Sequence, residues 1–479
     1  MSTLLIKNAA LIATFDAQNR RFENCDILVK DNRISAIGQN LKAENVDRVI
    51  DAKDMLVMPG MVNCHHHLFQ VLTRNVPRVQ EAELFPWLVH LYEIWRELTA
   101  DALYWSNLAG LGELLLTGCT TTTDHSYLYP QNAPANFFDE QIKAAKKLGI
   151  RFQPTRGSMS MGKDKGGLPP NDVVQNEETI LRDCERVIKQ YHDPDPLAMV
   201  KIALAPCSPF SVTPELLRES AILARKYGVR CHTHLAETKD EDAFCLKMFG
   251  KRPYDLMESL GWVGPDIWYA HAVYLNSDEI KRAAETGTCV SHCPASNMML
   301  ASGHAPIPEM LEAGVNVGLG VDGSASNDSS DMLGEVRTCY LLHRLCCGVD
   351  AMNAEKALRL ATNGGARVLG YKDLGSLEVG KGADIIGISL RRLGYAGALS
   401  DPVAAVVMCG DSHIVDFNVV NGNVVVENGH LVNINEEEVW EQANYWSHIM
   451  LERAKKRTGV DFCSKEGPGL IAPRPSQEQ

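Results

Sequence analysis

Residues 56–70 read LVMPGMVNCHHHLFQ. A short apolar run interrupted by Pro-Gly and closing on polar residues has the form of a buried strand that delivers side chains at its C-terminal end. On extended backbone, alternate side chains share a face, so His65 and His67 can reach one ion while His66 points away. The same arrangement recurs down the chain. His234 and Glu237 lie in RCHTHLAE, His271 closes DIWYAH, and Asp322 lies in VGLGVDG. His234 and Glu237 are three apart where a strand breaks into a loop, so one can bind metal while the other faces a substrate. Imidazole and carboxylate suit borderline-soft Zn²⁺, and a catalytic zinc keeps one position open for water. One histidine of this kind is ordinarily structural. Six suitable residues at the same point of successive strand-like units point to a mononuclear metal-dependent hydrolase.

The units themselves are VMPGMVN, TTTTDH, GIRFQPTRG, VKIALAPC, RCHTHLAE, IWYAHAV, TCVSHCP and VGLGVDG. Stretches with apolar residues at three- and four-residue spacing separate them, among them DEQIKAAKKLG and PELLRESAILARKYG. Capping residues before these stretches and glycine after them mark helices. Eight strand–helix repeats predict a (β/α)₈ barrel of the TIM type over residues 58–372, with the chemistry at the C-terminal ends of the strands. An open doubly wound sheet is the alternative, but the chain lacks its glycine-rich phosphate fingerprint.

Residues 1–57 read instead as short strands and turns, and the texture returns in 373–435, where Asn421-Gly422 and Asn428-Gly429 predict hairpins. Neither segment makes a good core alone, so the two are expected to combine into one small split β-sandwich. Residues 436–456 carry a helical pattern expected to pack on the outside. The Pro- and Gly-rich end of 436–479 is expected to be a mobile or partner-bound tail.

At 479 residues the chain has room for a large barrel and an accessory domain. Hydrophobic residues make up 45% and charged residues 22%, an ordinary globular composition. The net charge of −13 comes without a basic cluster, which argues against nucleic-acid and anionic-membrane partners. No apolar run approaches the ~18 residues of a membrane span. The 14 cysteines show no framework spacing and no signal peptide precedes them, so a cytoplasmic location with reduced thiols is expected. Cys346 and Cys347, in LLHRLCC, are expected to pack within an apolar helix.

PGMVNCHHH, HTHLAE, the lone His271 and GVDGSASND resemble the amidohydrolase superfamily in its cytosine/guanine deaminase-like branch. The likeness spans nearly the whole chain. Stretches such as HHHLFQVLTRNVP, CTTTTDHSYLYP, RGSMSMG, APCSPFSV and CPASNMMLASG are most similar to 8-oxoguanine deaminases, then to hydroxyatrazine hydrolases. The resemblance implies that His65, His67, His234 and Asp322 hold one divalent metal. No lysine stands at the end of the fourth strand, where binuclear members carry a carboxylated bridge; Pro206-Cys207 is there instead. Zn²⁺ is the expected ion, and three imidazoles with a carboxylate would also hold Fe²⁺. The catalytic groups implied are Glu237, His271 and Asp322. Asp322 takes a proton from metal-activated water, His271 orients the attacking oxygen, and Glu237 protonates a ring nitrogen so that an amino group can leave as ammonia.

For the substrate, Gln70 can pair with donor and acceptor edges of a purine or be a loop amide facing solvent. Trp87 matches a position that covers the heterocycle in related deaminases, or it is core. Arg156 meets either a substrate carbonyl or a neighbouring carboxylate. Cys207 either lies against the C8 oxygen, as in the 8-oxoguanine deaminases, or is a small buried hydrophobe. The implied reaction is deamination of 8-oxoguanine to urate and ammonia. Guanine, isoxanthopterin and an s-triazine such as hydroxyatrazine are the alternative substrates. The partner is thus a small heterocycle, with a homo-oligomer expected by analogy. The roles of His66, His125 and His292 stay open.

Overall fold

The computed structural model describes residues 2–409 and 414–466. The N-terminal segment supplies β1 (Thr3–Ala13), β2 (Arg21–Lys30), β3 (Arg33–Gly38), β4 (Arg48–Asp51) and β5 (Met55–Pro59). Then come β6 (Met61–Asn63), β7 (Cys119–Ser126), β8 (Arg151–Ser158), β9 (Ala203–Pro206), β10 (Arg230–Leu235), β11 (Ile267–His271), β12 (Cys289–His292) and β13 (Val317–Leu319). The chain returns through β14 (Ile385–Ser389), β15 (Phe417–Val420), β16 (Asn423–Glu427) and β17 (His430–Leu431).

Strands β6 to β13 pair in sequence order into one parallel sheet. These are the eight units expected from the sequence. Parallel strands flanked by helices are buried on both faces, and β7 and β8 are buried at every residue. Threonine serves in such a strand because its hydroxyl finds a local acceptor: Thr123 Oγ1 donates to Gln153 O at 2.7 Å. The ring closes between its ends through Cys64 N–H to Leu319 O (2.8 Å) and Asp322 N–H to His65 O (3.1 Å). Helices alternate with the strands and carry the expected stops and starts. Asn276 forms a capping box before Ser277–Thr286, and Gly287 ends that helix in the left-handed region at φ 75°.

Both terminal segments contribute to a single nine-stranded sheet, joined where β14 runs antiparallel to β5. Its two arms share one apolar cluster, with Ile6, Ile12 and Val29 from one side and Ile385, Phe417 and Val419 from the other. The two Asn-Gly steps are left-handed at both residues and turn β15 into β16 and β16 into β17. The alternation and turn residues of the N-terminal segment predict a small antiparallel sheet, but β4 and β5 both run parallel to β1. The sheet also extends to Pro59, two residues beyond the expected boundary.

The last described helix, Glu436–Thr458, packs on Leu84–Trp95 and Ala100–Leu116 at the outer side of the first barrel loop. Ser447 Oγ there donates to Leu72 O at 2.6 Å. Most of the Pro- and Gly-rich tail, from residue 467, lies outside the described residues. Cys346 and Cys347 end the helix Met332–Cys347 but are exposed, correcting the expectation that they pack. Their neighbours show why: Leu345 is 85% exposed and Val349 71%, so this end of the helix projects from the surface. No described helix is long and apolar enough to cross a membrane.

Candidate active site

His65, His67, His234 and Asp322 converge at the C-terminal ends of the barrel strands, all buried. His67 Nε2 lies 3.0 Å from His234 Nε2, and Asp322 Oδ1 lies 3.2 Å from His65 Nε2 and 3.4 Å from His67 Nε2. The far side of each ring decides where its proton sits. His67 Nδ1–H donates to His125 O (2.8 Å) and His234 Nδ1–H donates to Cys207 O (2.6 Å). A carbonyl can only accept, so both Nε2 atoms carry lone pairs. His65 Nδ1 meets His232 Nε2 at 2.7 Å, and its own Nε2 is buried without a hydrogen-bond partner. Three imidazole lone pairs and a carboxylate oxygen crowded together in a buried site repel one another unless a cation sits among them. The donor set fits Zn²⁺ or Fe²⁺. His125, stacked 4.7 Å from His234, brings a fourth imidazole within ligand distance of this group.

The remaining chemical groups sit on strained backbone. His271 (φ 71°), Asp322 (φ 65°) and Ala236 (φ 51°) all lie in the left-handed region, which side chains with a Cβ adopt only when the surroundings enforce it. At Ala236 the enforcing group is Glu241. Its two carboxylate oxygens accept the N–H groups of Ala236 and Glu237, each at 2.9 Å, and so aim Glu237. His271 Nδ1 donates to Asn297 Oδ1 (2.9 Å), leaving Nε2 at 3.6 Å from Glu237 Oε2 and 3.8 Å from Asp322 Oδ2. Burial raises the Glu237 carboxyl above its ordinary range, partly offset by His271. Burial alone would lower His271, but the carboxylates of Glu237 and Asp322 lift it above its usual value. Asp322 behaves oppositely to Glu237: burial raises it, yet His65, His271 and His67 together hold it well below the usual carboxylate range. The result is one carboxyl inclined to keep a proton and one inclined to lose it, across a single cavity.

That cavity is lined by His67, His234, Glu237, His271 and Asp322 together with Gln70, Trp87 and Cys207. Gln70 sits in the 3₁₀ turn Leu68–Thr73, is 1% exposed, and leaves its Oε1 unpaired. Trp87 reaches the cavity from Leu84–Trp95 while its ring N–H donates to Ala325 O at 3.3 Å. The Cys207 thiol is pushed up to about 12 by burial and is therefore neutral.

Arg156 is the exception among the expected substrate contacts. It does not line the cavity, and its guanidinium is consumed elsewhere: Nε donates to Asp183 (2.6 Å), Nη2 to Gln175 (2.8 Å), and the plane lies 3.7 Å over Tyr129. The neighbouring-carboxylate alternative is the one realised.

His66 points away, with Nε2 at 2.9 Å from Ser330 Oγ, and His292 Nε2 meets His343 Nε2 at 3.0 Å behind the barrel wall. Several participants gave no usable signal in sequence. Tyr92, Tyr127 and Ser326 line the cavity, yet nothing distinguishes a cavity tyrosine from a core one. Asn297 and Glu241 act through residues brought near by the fold. Only His232, within HTH, was placed where its role was discoverable.

Residues 56–425 match the amidohydrolase family. The chain belongs to that family. Among its relatives, the 8-oxoguanine deaminase of Pseudomonas aeruginosa is 48% identical over 80% of this chain and 85% of its own. Hydroxydechloroatrazine ethylaminohydrolase of Pseudomonas sp. strain ADP is 36% identical over 97% of this chain and 100% of its own. The solved structure of atrazine chlorohydrolase from Arthrobacter aurescens TC1, complexed with zinc, superposes with a TM-score of 0.89. It is 36% identical and covers 93% of this chain and 100% of that one.

Proposed function

We propose that this amidohydrolase is a metal-dependent aminohydrolase that deaminates an amino-oxo purine, 8-oxoguanine to urate and ammonia. The observation that carries the reading is the opposed pair of carboxyls. Glu237, raised by burial, and Asp322, held low by histidines, face one cavity whose wall also bears Gln70 and Cys207. The similarity to a deaminase of 8-oxoguanine supports the choice of substrate.

His65, His67, His234 and Asp322 would hold the cation. A bound divalent cation supplies Lewis-acid activation of the attacking water. Asp322 divides its labour: Oδ1 faces the imidazoles, while Oδ2, on the His271 side and accepting from Ser326 Oγ at 3.5 Å, has a lone pair left to take the proton that water gives up. Glu237 gives its proton to a ring nitrogen, which makes the amino-bearing carbon electrophilic enough to add oxygen. His271, held by Asn297, donates a hydrogen bond to the incoming oxygen. The C–N bond then breaks and the proton on Asp322 leaves with the nitrogen as ammonia. The added hydroxyl gives its proton to Glu237 as the carbonyl forms, and the proton Glu237 donated stays on the ring nitrogen. Gln70 and Trp87 would orient and cover the ring, and Cys207 would lie against the C8 oxygen.

A second reading, removal of an alkylamine from a hydroxy-triazine, draws on the full-length match to the ethylaminohydrolase. Ammonia release from 8-oxoguanine, guanine, isoxanthopterin and hydroxyatrazine separates these, with the highest kcat/KM expected on 8-oxoguanine. Preference for hydroxyatrazine, with ethylamine or another amine as product, overturns the purine assignment. A homo-oligomer belongs to the same proposal: Leu341, Leu345 and Val349 are each exposed on or just after one helix, and light scattering tests it.

A further inference from the structure

We infer that His232 is a positioning residue that fixes the proton of His65 on Nδ1 and thereby sets the affinity of the centre for its cation. The inference rests on the reading of His65 as a ligand.

Of the three imidazoles, His67 and His234 are oriented by backbone carbonyls, which no substitution removes. His65 alone is oriented by a side chain. His232 is fully buried, its ring stacked 4.5 Å from that of Trp268 at 11°, and its Nδ1 lies 2.9 Å from Trp268 O. The carbonyl cannot donate, so Nδ1 of His232 carries that neutral ring's one proton and Nε2 is left as an acceptor. His65 Nδ1, 2.7 Å away, must then be the donor, and His65 Nε2 is left bare toward Asp322. Trp268 closes the circuit by donating its ring N–H to Cys64 O at 3.1 Å, beside His65 itself. Three strands, β10, β11 and the run after β6, are thus joined by a chain of bonds whose only self-consistent proton arrangement leaves a lone pair on His65 Nε2.

Removing His232 has a definite consequence. The His65 Nδ1–H would face an apolar wall, and the proton's better place becomes Nε2, where Asp322 Oδ1 at 3.2 Å accepts it. The resulting His65–Asp322 hydrogen bond occupies two ligand atoms at once and competes with the cation. Outer partners of metal-binding histidines are typically worth about 10–100-fold in affinity.

The test compares His232→Leu with His232→Gln. Gln offers Oε1 near the place of Nε2 and can accept from His65; Leu cannot. Zn²⁺ affinity is measured by competition with a chromophoric chelator, and histidine tautomers of the metal-free protein by ¹⁵N imidazole shifts. The Leu variant is expected to bind Zn²⁺ about 10–100-fold more weakly and to show His65 protonated on Nε2, with Gln restoring most of both. If Leu does not fold, His232→Asn serves, since its amide reaches Trp268 O but not His65. A Leu or Asn variant that folds and binds Zn²⁺ as tightly as wild type overturns the inference. So does a Gln variant that falls as far as Leu. A wild type that takes up no Zn²⁺ overturns the reading of the centre itself, which is a separate result.

Discussion

Glu237 and Cys207 both line the cavity, and the proposed reaction gives them different tasks. Glu237 is a buried carboxyl raised by that burial, so it is suited to hold a proton until a ring nitrogen takes it. Glu237→Gln preserves shape and charge-neutrality, so metal content should stay at about one per chain while kcat falls ~10²–10⁴-fold. Near-normal turnover with intact metal would remove Glu237 from the proton path. Cys207 is expected to act on selection instead. Its neutral thiol is a compact, weak donor, and leaving a substrate carbonyl without such a partner costs about 1–3 kcal/mol. Cys207→Ala should therefore shift the kcat/KM ratio of 8-oxoguanine over guanine by roughly 5- to 150-fold. An unchanged ratio would leave Cys207 as packing. At this scale the sequence was legible wherever a residue type announces its chemistry: the histidine pair, the HxxE spacing and the lone Asp322 all come together. Arg156 was misleading for the same reason. A guanidinium at a strand end advertises an anion or carbonyl, and only the fold reveals that Asp183 and Gln175 have already taken it. Arg156→Met should accordingly lower stability by about 1–3 kcal/mol with KM nearly unchanged. A raised KM at unchanged stability would restore the substrate contact.

Between residues and barrel stand the turns that aim the chemistry. After β10 the chain must expose Glu237 to the cavity while His234 faces the centre, and a left-handed Ala236 accomplishes the change of direction. Such a residue relaxes unless something holds it. Both oxygens of Glu241, from the first turn of the helix Lys239–Phe249, do so. Glu241→Gln exchanges one acceptor for a donor opposite a backbone N–H. The expected result is a loss of about 1–3 kcal/mol in stability and at least a tenfold fall in kcat, with Zn²⁺ affinity little changed because His234 is anchored separately by Cys207 O. A variant that melts earlier yet turns over normally would confine Glu241 to structure. This device was invisible in TKDE, which reads simply as an acidic helix start favoured by the helix dipole. The strands and hairpins were more legible because their signals are local: apolar runs broken by glycine, and Asn-Gly pairs that need positive φ. The parallel setting of β4 and β5 against β1 was not, since alternation says which face is buried but nothing about the direction of a neighbour.

At the scale of the whole molecule, two consequences follow from how the barrel is closed and what it buries. Asp124 and Glu241 are raised to about 7 and Glu335 to about 8, in each case chiefly by burial. Their unfolded values are near 4, so between about pH 4 and pH 8 the folded chain binds more protons at these three groups than the unfolded one. Their contribution to stability falls as pH rises through this window, by up to about 1.4 kcal/mol per pH unit for each. Buried histidines held low, among them His66, His125, His232 and His292, contribute in the opposite direction as pH falls through the ordinary imidazole range. Replacing one of the three carboxyls isolates its share: between pH 6 and pH 8 the melting temperature of Glu335→Gln should move upward relative to wild type, and a constant difference across that range would contradict the shift. The second consequence concerns the seam. The barrel's first and last strands, β6 and β13, are joined by a few backbone bonds, and the residues just past that seam are His65, His67 and Asp322. A cation held, as proposed, by these three and by His234 within β10 would tie the seam together and pin it to the opposite side of the ring. Its binding energy would then be folding energy, because the unfolded chain cannot present four such ligands together. At a free concentration 100 times the dissociation constant this amounts to about 2.7 kcal/mol. Chelation should lower the melting temperature, and one equivalent of Zn²⁺ should restore it. His234→Ala should weaken that response, because it removes a ligand without touching the seam's own hydrogen bonds. Native-state hydrogen exchange localises the effect: on chelation, protection should fall first at the Cys64 and Asp322 amides that close the ring. Equal loss of protection around all eight strands would mean that the cation stabilises the fold without acting as its clasp.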